Sequence, residues 1–265
     1  MYGEEEEEYR EAFGVAYPAP PSLFCFTVMR TSEAGGQNEV RLIKAQFQHR
    51  SSLFACEEAA VLCSGCNGKV SLGYGKDGEA FSWETPLPAA EVGKGWSDWS
   101  YLNAGVFIQA WDSLIKSGRL WDHDWTVKVD PDAVYFPDRL RLHLISYQGH
   151  NIYFTNCDSD EFRKSQPGGP KGARMFGALE VFSKRAIQTY QGGKAKCEAR
   201  DYASMPEDYY MQTCMDVLGV TSQFDDALVS DPRCYAAACD DWTRVSFHPY
   251  RDVDPYFSCL GQASR

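Results

Sequence analysis

The sequence predicts an α/β sandwich in which helices cover both faces of one mixed, mainly parallel sheet. Three observations carry this expectation. The apolar run SLFCFTVM at residues 22 to 29 has the length and composition of a buried strand. Val40, Ile43 and Phe47 then recur at helical spacing, and AAVLC at residues 59 to 63 reads as a second strand. Strand, helix and strand in that order imply parallel pairing through a crossover, with ligands gathering at the carboxyl ends of the strands. The 265 residues, 44% of them hydrophobic, are enough to bury a substantial core.

The elements follow in order. MYGEEEEEYR opens the chain with five consecutive glutamates, a solvated tail rather than a signal peptide, and PAPPS at residues 18 to 22 separates it from the first strand. Residues 1–21 are therefore expected to form a flexible acidic and Pro-rich tail, and residues 22–265 a single folded domain. Residues 67 to 95, rich in Gly and Pro, read as a long loop or a short excursion. LNAGVFIQAWDSLI sets Val106, Phe107, Ala110, Trp111 and Leu114 on one helical face, stops at Ser117-Gly118 and leads into the strand WTVKV. In FPDRLRLHL, Pro137 suits a first helical position, while Leu140, Leu142 and Leu144 alternate as in an edge strand, and both readings stay open. NIYFTN and MFGALEVF read as strands on either side of the glycine-rich loop SQPGGPKGAR. Ser183 caps the helix KRAIQTYQ, and MPEDYYMQTCMDVLGV starts a helix at Pro206, with Glu207 and Asp208 in its first turn and Gly219 at its end.

A net charge of -11 argues against a general nucleic-acid binder, although a metal or a few local cations would still let an acidic protein hold a small anion. Ten cysteines favour the secretory lumen and disulfides, with Cys25 and Cys214 also readable as buried thiols. Cys63 and Cys66 form a CxxC with no second pair, so a disulfide partner or a plain loop is favoured over zinc. No apolar stretch is long enough to cross a bilayer.

The chemistry centres on WTVKVDPDAV, where Asp130 and Asp132 close a buried strand. Two carboxylates this close repel each other unless a cation joins them, and Mg or Mn takes such oxygen ligands while sharing its other positions with a diphosphate. An Asp-Pro-Asp turn explains the same spacing. Two enzyme classes place such a pair at a strand end. Haloacid-dehalogenase phosphatases would use Asp130 as nucleophile, with Asp225 and Asp226 as later acids, but two strands and two helices precede the motif here. Metal-dependent glycosyltransferases of the GT-A fold suit that order better.

YLNAGVFIQAWDSLI, WTVKVDPDAVYFPDRL, FGALEVFSKRAI, MPEDYYMQTCMDVLGV and VSFHPY stand in an order that resembles the β-1,3-galactosyltransferase and Fringe superfamily, in its divergent algal and protist versions, over roughly residues 22 to 260. The resemblance implies a Rossmann-like GT-A fold. It implies an inverting transferase that moves a hexose or N-acetylhexosamine from a UDP-sugar to a glycan or glycoprotein acceptor. By resemblance Asp130, Asp132 and His248 hold Mn²⁺ or Mg²⁺, Asp208 is the base, and Glu207, Lys128 and Arg30 contact substrate. SQPGGPKGAR reads as a lid or only a loop, and Trp96, Trp99 and Trp111 as sugar-stacking candidates, with Trp111 at helical spacing favoured as core. The family's enzymes are Golgi proteins whose catalytic domain follows a type II anchor, so a longer membrane-anchored parent is expected. Pro131 inside the motif and an unclean match before FGALEVF depart from the pattern. A catalytically inactive binding domain of the same fold is the non-enzymatic alternative.

Overall fold

The computed structural model describes residues 19–31, 36–89, 91–92, 101–165, 172–198 and 205–265. The glutamate run, Trp96, Trp99 and most of the glycine-rich loop lie outside the described residues.

A six-stranded sheet forms the centre. Its strands are β1 (Leu23–Arg30), β2 (Glu58–Ser64), β7 (Trp125–Val129), β9 (Ile152–Thr155), β10 (Leu179–Ser183) and β11 (Thr221–Phe224), and their spatial order is β11-β9-β10-β7-β1-β2. β1 pairs in parallel with β2 and β7, and β11 pairs in parallel with β9. β10 runs antiparallel to both its neighbours. The period-two alternation of β1 divides the interior into two cores. Leu23, Cys25 and Met29 face one, where Ile43 of helix α1 (Gly36–His49) and Leu140 and Leu144 of helix α3 (Pro137–Leu144) pack. Phe24, Phe26 and Val28 face the other. That second core is closed by α2 (Ala104–Ser117), α5 (Lys184–Gly193) and α7 (Glu207–Val217). The result is an α/β/α sandwich. Short helices α4 (Asp160–Ser165) and α6 (Ala195–Glu198) lie in the connections, and α8 (Val253–Ala263) packs Tyr256 and Cys259 with Leu42 of α1.

Local chemistry accounts for the boundaries. Gly118 ends α2 in the left-handed conformation, at φ 79°. The Ser183 hydroxyl accepts a hydrogen bond from the Ala186 N–H and so caps α5. The ambiguous FPDRLRLHL is a helix: Leu140 and Leu144 are buried while Leu142 is 71% exposed, an i, i+4 pattern rather than an alternating one. The Gly-rich stretch after β2 holds a hairpin, β3 (Ser71–Gly75) with β4 (Gly78–Phe81), turned at Gly78 with φ 106°. A second short antiparallel pair, β5 (Glu91–Val92) with β6 (Tyr101–Leu102), precedes α2. MFGALEVF is strand only from Leu179 onward.

All ten cysteines are paired, as Cys25–Cys56, Cys63–Cys66, Cys157–Cys234, Cys197–Cys214 and Cys239–Cys259. The reading of Cys25 and Cys214 as thiols is thereby corrected. Apolar flanks bury a disulfide as readily as a thiol, so local sequence did not distinguish them. Such a set belongs in an oxidising compartment. Among the described residues no helix is long and apolar enough to cross a membrane.

Trp111 is fully buried and meets Phe26 and Phe182 edge-on, at centroid distances of 4.8 Å and 5.4 Å. Chemical denaturation of Trp111→Ala is expected to show a stability loss of about 3–5 kcal/mol, as for other large-to-small core changes.

Candidate functional site

The site begins where β7 leaves the sheet. The Asp130 N–H donates to the Ala178 carbonyl at 3.1 Å, and the Asp130 carbonyl accepts from the Ala133 N–H at 3.1 Å, closing a turn through Pro131. Gln46 of α1 braces that turn, its Nε2 donating to the Pro131 carbonyl at 2.8 Å. The turn and a carboxylate pair are therefore both present: the local Asp-Pro-Asp geometry is what presents the side chains.

A short antiparallel ladder brings the third group in. β8 (Val134–Tyr135) pairs with β12 (Ser246–Phe247), and the Tyr250 N–H donates to the Asp132 carbonyl at 2.8 Å. His248, the next residue after β12, is thereby carried to Asp132, with Nε2 3.4 Å from Oδ1. Its Nδ1 lies 2.7 Å from Oδ2 of Asp231, a buried carboxylate that also accepts from the Arg233 backbone N–H and Nε at 2.8 Å and 2.9 Å. One oxygen from each aspartate and one His248 nitrogen lie within 4.8 Å of one another. Two carboxylates and an imidazole suit a divalent cation, and Asp231 occupies the second ring nitrogen in the manner that orients metal-bound histidines.

Electrostatics reinforce the arrangement. Burial works against the His248 charge, but Asp132 and Asp231 outweigh it and hold its pKa at about 9. Burial likewise opposes ionisation of Asp231, yet His248 and Arg233 keep it at about 2. Asp132 is held below its ordinary value despite burial, again by His248, whereas burial pushes Asp130 up in spite of Lys128. A proton on His248 stands where a cation would otherwise neutralise the pair.

Lys128 is the hub beneath this group. It is 1% exposed, and its Nζ donates to Asp130 Oδ1 at 2.7 Å, the Gly177 carbonyl at 2.6 Å and Glu207 Oε1 at 2.9 Å. Glu180, its cross-strand neighbour on β10, lies 3.4 Å away, and the Phe107 ring covers another side at 4.9 Å. The three N–H donors are spent on these partners. Lys128 thus aims its charge at the protein's own carboxylates. Gly177 is close by necessity, since a Cβ there would come within 2.9 Å of Glu207 Oε1 and 3.4 Å of Nζ.

Helix α7 supplies the other acids. Asn103 Oδ1 accepts the Glu207 N–H at 3.0 Å, fixing the first turn. Lys128 holds Glu207 below its ordinary pKa although burial pulls the other way. Asp208 accepts from the Gly177 and Tyr209 N–H groups at 3.2 Å and 2.7 Å. Burial, and after it the neighbouring Glu207 charge, raise Asp208 to about 7. A carboxylate poised there can take or give a proton near neutrality.

The structure brings Asp130, Asp132, His248, Lys128, Glu207 and Asp208 into one electrostatic cluster. Arg30 stands apart from the hub. At the end of β1 it is ion-paired with Glu39 of α1, with its backbone N–H donating to Glu39 Oε2 at 2.7 Å. Burial, and to a smaller extent Asp132, hold Glu39 above its ordinary range despite Arg30. Asp225 and Asp226 form no second acidic pair at this site, and Asp225 instead sits 2.6 Å from His143 Nδ1. Two residues were missed. Glu180 was detectable as the lone charge inside the apolar strand LEVFS, whereas Asp231 carries no local signal.

No protein-family model matches this sequence, and no curated protein sequence matches it. Solved structures do. A glycosyltransferase involved in the glycosylation of the major capsid of PBCV-1 superposes with a TM-score of 0.50 at 11% identity, covering 90% of this chain and 98% of that one. The fold is of the GT-A type. The galactosyltransferase LgtC, in complex with donor and acceptor sugar analogs, matches with a TM-score of 0.46 at 10% identity over 91% of this chain and 96% of its own. At such identities a likeness speaks of fold, so the chemistry of this GT-A domain has to come from its residues.

Breaking the Lys128 hub tests its structural weight. Lys128→Met leaves Asp130, Glu180 and Glu207 without their cation, and the unfolding free energy is expected to fall by roughly 3–5 kcal/mol in urea titration at pH 7.

Proposed function

We propose that the protein is a metal-dependent, inverting glycosyltransferase that moves a hexose or N-acetylhexosamine from a UDP-sugar to a hydroxyl of a glycan or glycoprotein. One juxtaposition carries this reading: Lys128 and Gly177 link the Asp130, Asp132 and His248 trio to a buried Asp208 whose pKa is about 7. A donor diphosphate and an acceptor hydroxyl need those two groups side by side. The GT-A fold supports the reading, as does an order of motifs that resembles the β-1,3-galactosyltransferase and Fringe superfamily.

Mn²⁺ or Mg²⁺ held by Asp130, Asp132 and His248 would supply positive charge to the departing diphosphate. The remaining work falls to the protein. Asp208, as carboxylate, takes the proton of the acceptor hydroxyl. The acceptor oxygen then bonds to the anomeric carbon from the face opposite the leaving group, and the bond from that carbon to the phosphate oxygen breaks with its electron pair leaving on UDP. Lys128 acts by positioning, because it fixes Asp130 and Glu207 relative to each other. Glu207 shapes the floor of the pocket. Arg30, at the carboxyl end of β1, is the donor-side cation of this reading. The five disulfides, with no membrane-spanning helix among the described residues, fit the lumenal domain of a membrane-anchored Golgi enzyme.

Calorimetric titration of UDP is expected to show Mn²⁺-dependent binding in the parent protein and none in Asp132→Ala, and equal binding with and without Mn²⁺ would defeat the proposal. The pH dependence of transfer provides a second check. Only ionised Asp208 is a base, so kcat/KM should rise with pH up to about 7 and level off above it. Asp208→Asn should lower kcat by roughly 10²–10⁴-fold with UDP binding retained.

A further inference from the structure

Arg174 is the group that neither the fold nor the proposed chemistry employs. Its backbone is secured from both sides. The Arg174 N–H donates to the Cys157 carbonyl at 2.6 Å, and its carbonyl accepts from the Asn156 and Cys157 N–H groups at 2.8 Å and 3.0 Å. Gln212, one turn beyond Asp208 on α7, clamps the residues on either side: its Nε2 donates to the Ala173 carbonyl at 3.1 Å and its Oε1 accepts the Met175 N–H at 2.9 Å. The side chain that this rigid strap carries is 5% exposed. Nevertheless, its Nε and Nη1 are buried without a hydrogen-bond partner, and among the described residues no carboxylate lies within ion-pair distance of it.

That is an expensive arrangement for a permanent cation, and other partly buried arginines among the described residues are matched. Arg139 donates to the Asp241, Arg244 and Ala263 carbonyls, and Arg141 meets Glu57 and Asp138. Arg174 has instead a second cation, Arg163, near enough to oppose its charge. The carboxylate whose charge favours it is that of Asp208. Asp208 offers it no hydrogen bond, since the oxygens of Asp208 are taken by the Gly177 and Tyr209 N–H groups. The guanidinium is therefore carried on the segment that runs on to Gly177, whose N–H Asp208 accepts, with its preferred planar partner missing.

We propose that Arg174 receives an oxyanion of the acceptor, a carboxylate or a sulfate or phosphate ester, so that this protein selects an acidic sugar chain. The acceptor assignment rests on the transferase reading, in which Asp208 faces the acceptor hydroxyl. Recognition of an anion at this spot does not. A guanidinium presents parallel donors to two oxygens of such a group, and a buried one gains more from the match than an exposed one. The site thereby gives a protein of net charge -11 a means of holding an anion that its overall field repels.

The test titrates glucuronic acid and glucose, alike in size and differing in the C6 carboxylate, into the full chain at low ionic strength. Parent protein, Arg174→Met and Arg174→Lys are compared, with UDP and Mn²⁺ titrated separately into each. Glucuronate is expected to bind roughly 10- to 100-fold more tightly than glucose in the parent, to fall to the glucose level in Arg174→Met, and to recover partly in Arg174→Lys. UDP binding should be unchanged throughout. Thermal melting separates a binding from a structural role, because Arg174→Met removes an unpaired buried charge and should melt no lower than the parent. The proposal is overturned by equal binding of the two sugars in the parent, by discrimination that survives Arg174→Met, or by a large loss of melting temperature in that variant. A loss of UDP affinity with glucuronate binding unaltered would also overturn it, placing the oxyanion on the donor. Failure of the parent to bind UDP would count against the transferase reading alone, since glucuronate recognition is measured without donor.

Discussion

The site depends on one ammonium group kept out of water. Lys128 gathers Asp130 from the end of its own strand, Glu180 from the neighbouring strand and Glu207 from a helix that begins some eighty residues later, as the sequence separation of 79 for its Glu207 contact records. Lys128 holds Glu207 below its ordinary pKa against its burial, whereas burial pushes the Asp130 and Glu180 carboxyls up even beside that cation. Buried ion pairs of this kind add little net stability over apolar side chains of similar volume, but they fix the relative placement of the groups they join. Gly177 belongs to the same constraint, for the carbonyl that Lys128 grips can approach only where no Cβ intervenes.

Above that hub the remaining groups have complementary duties. Asp132 and His248 keep each other charged, and Asp231 fixes the imidazole from behind. Asp208 escapes this mutual stabilisation, because burial and the neighbouring Glu207 charge both oppose its ionisation and outweigh Lys128. Two acids one residue apart on α7 thus end with opposite shifts, one lowered by Lys128 and the other raised by burial and by its partner. That divergence leaves one of them ionised and the other able to exchange a proton near neutrality.

Much of this was legible in the sequence, and the remainder was hidden for identifiable reasons. Periodicity placed β1, α1, β2, α2 and β7, because each buries a continuous stripe or alternation whose spacing is set by backbone geometry alone. The carboxyl-end rule located Asp130 and Asp132, and the order of segments drew attention to Glu207, Asp208 and His248. Pairing was not legible. Nothing local shows that Lys128 turns inward, that Arg30 is matched to Glu39, or that Asp231 lies behind His248, since each partner arrives from a distant segment. The cysteines make the same point: their number announced an oxidising environment, but which residues joined depended on the completed fold.

The Cys157–Cys234 bond acquires significance from where its ends lie. Cys157 is bridged to Arg174, and Cys234 is bridged to Asp231, the residue that orients His248. One covalent link therefore joins the strap that carries Arg174 to the loop that steadies His248, while the six strands of the central sheet are held by their own hydrogen bonds. Reduction of that link would blur the spacing between the two halves of the site before it disturbed the scaffold. Redox conditions would then set how firmly the Arg174 strap and the Asp231 loop are held together within an otherwise intact sheet.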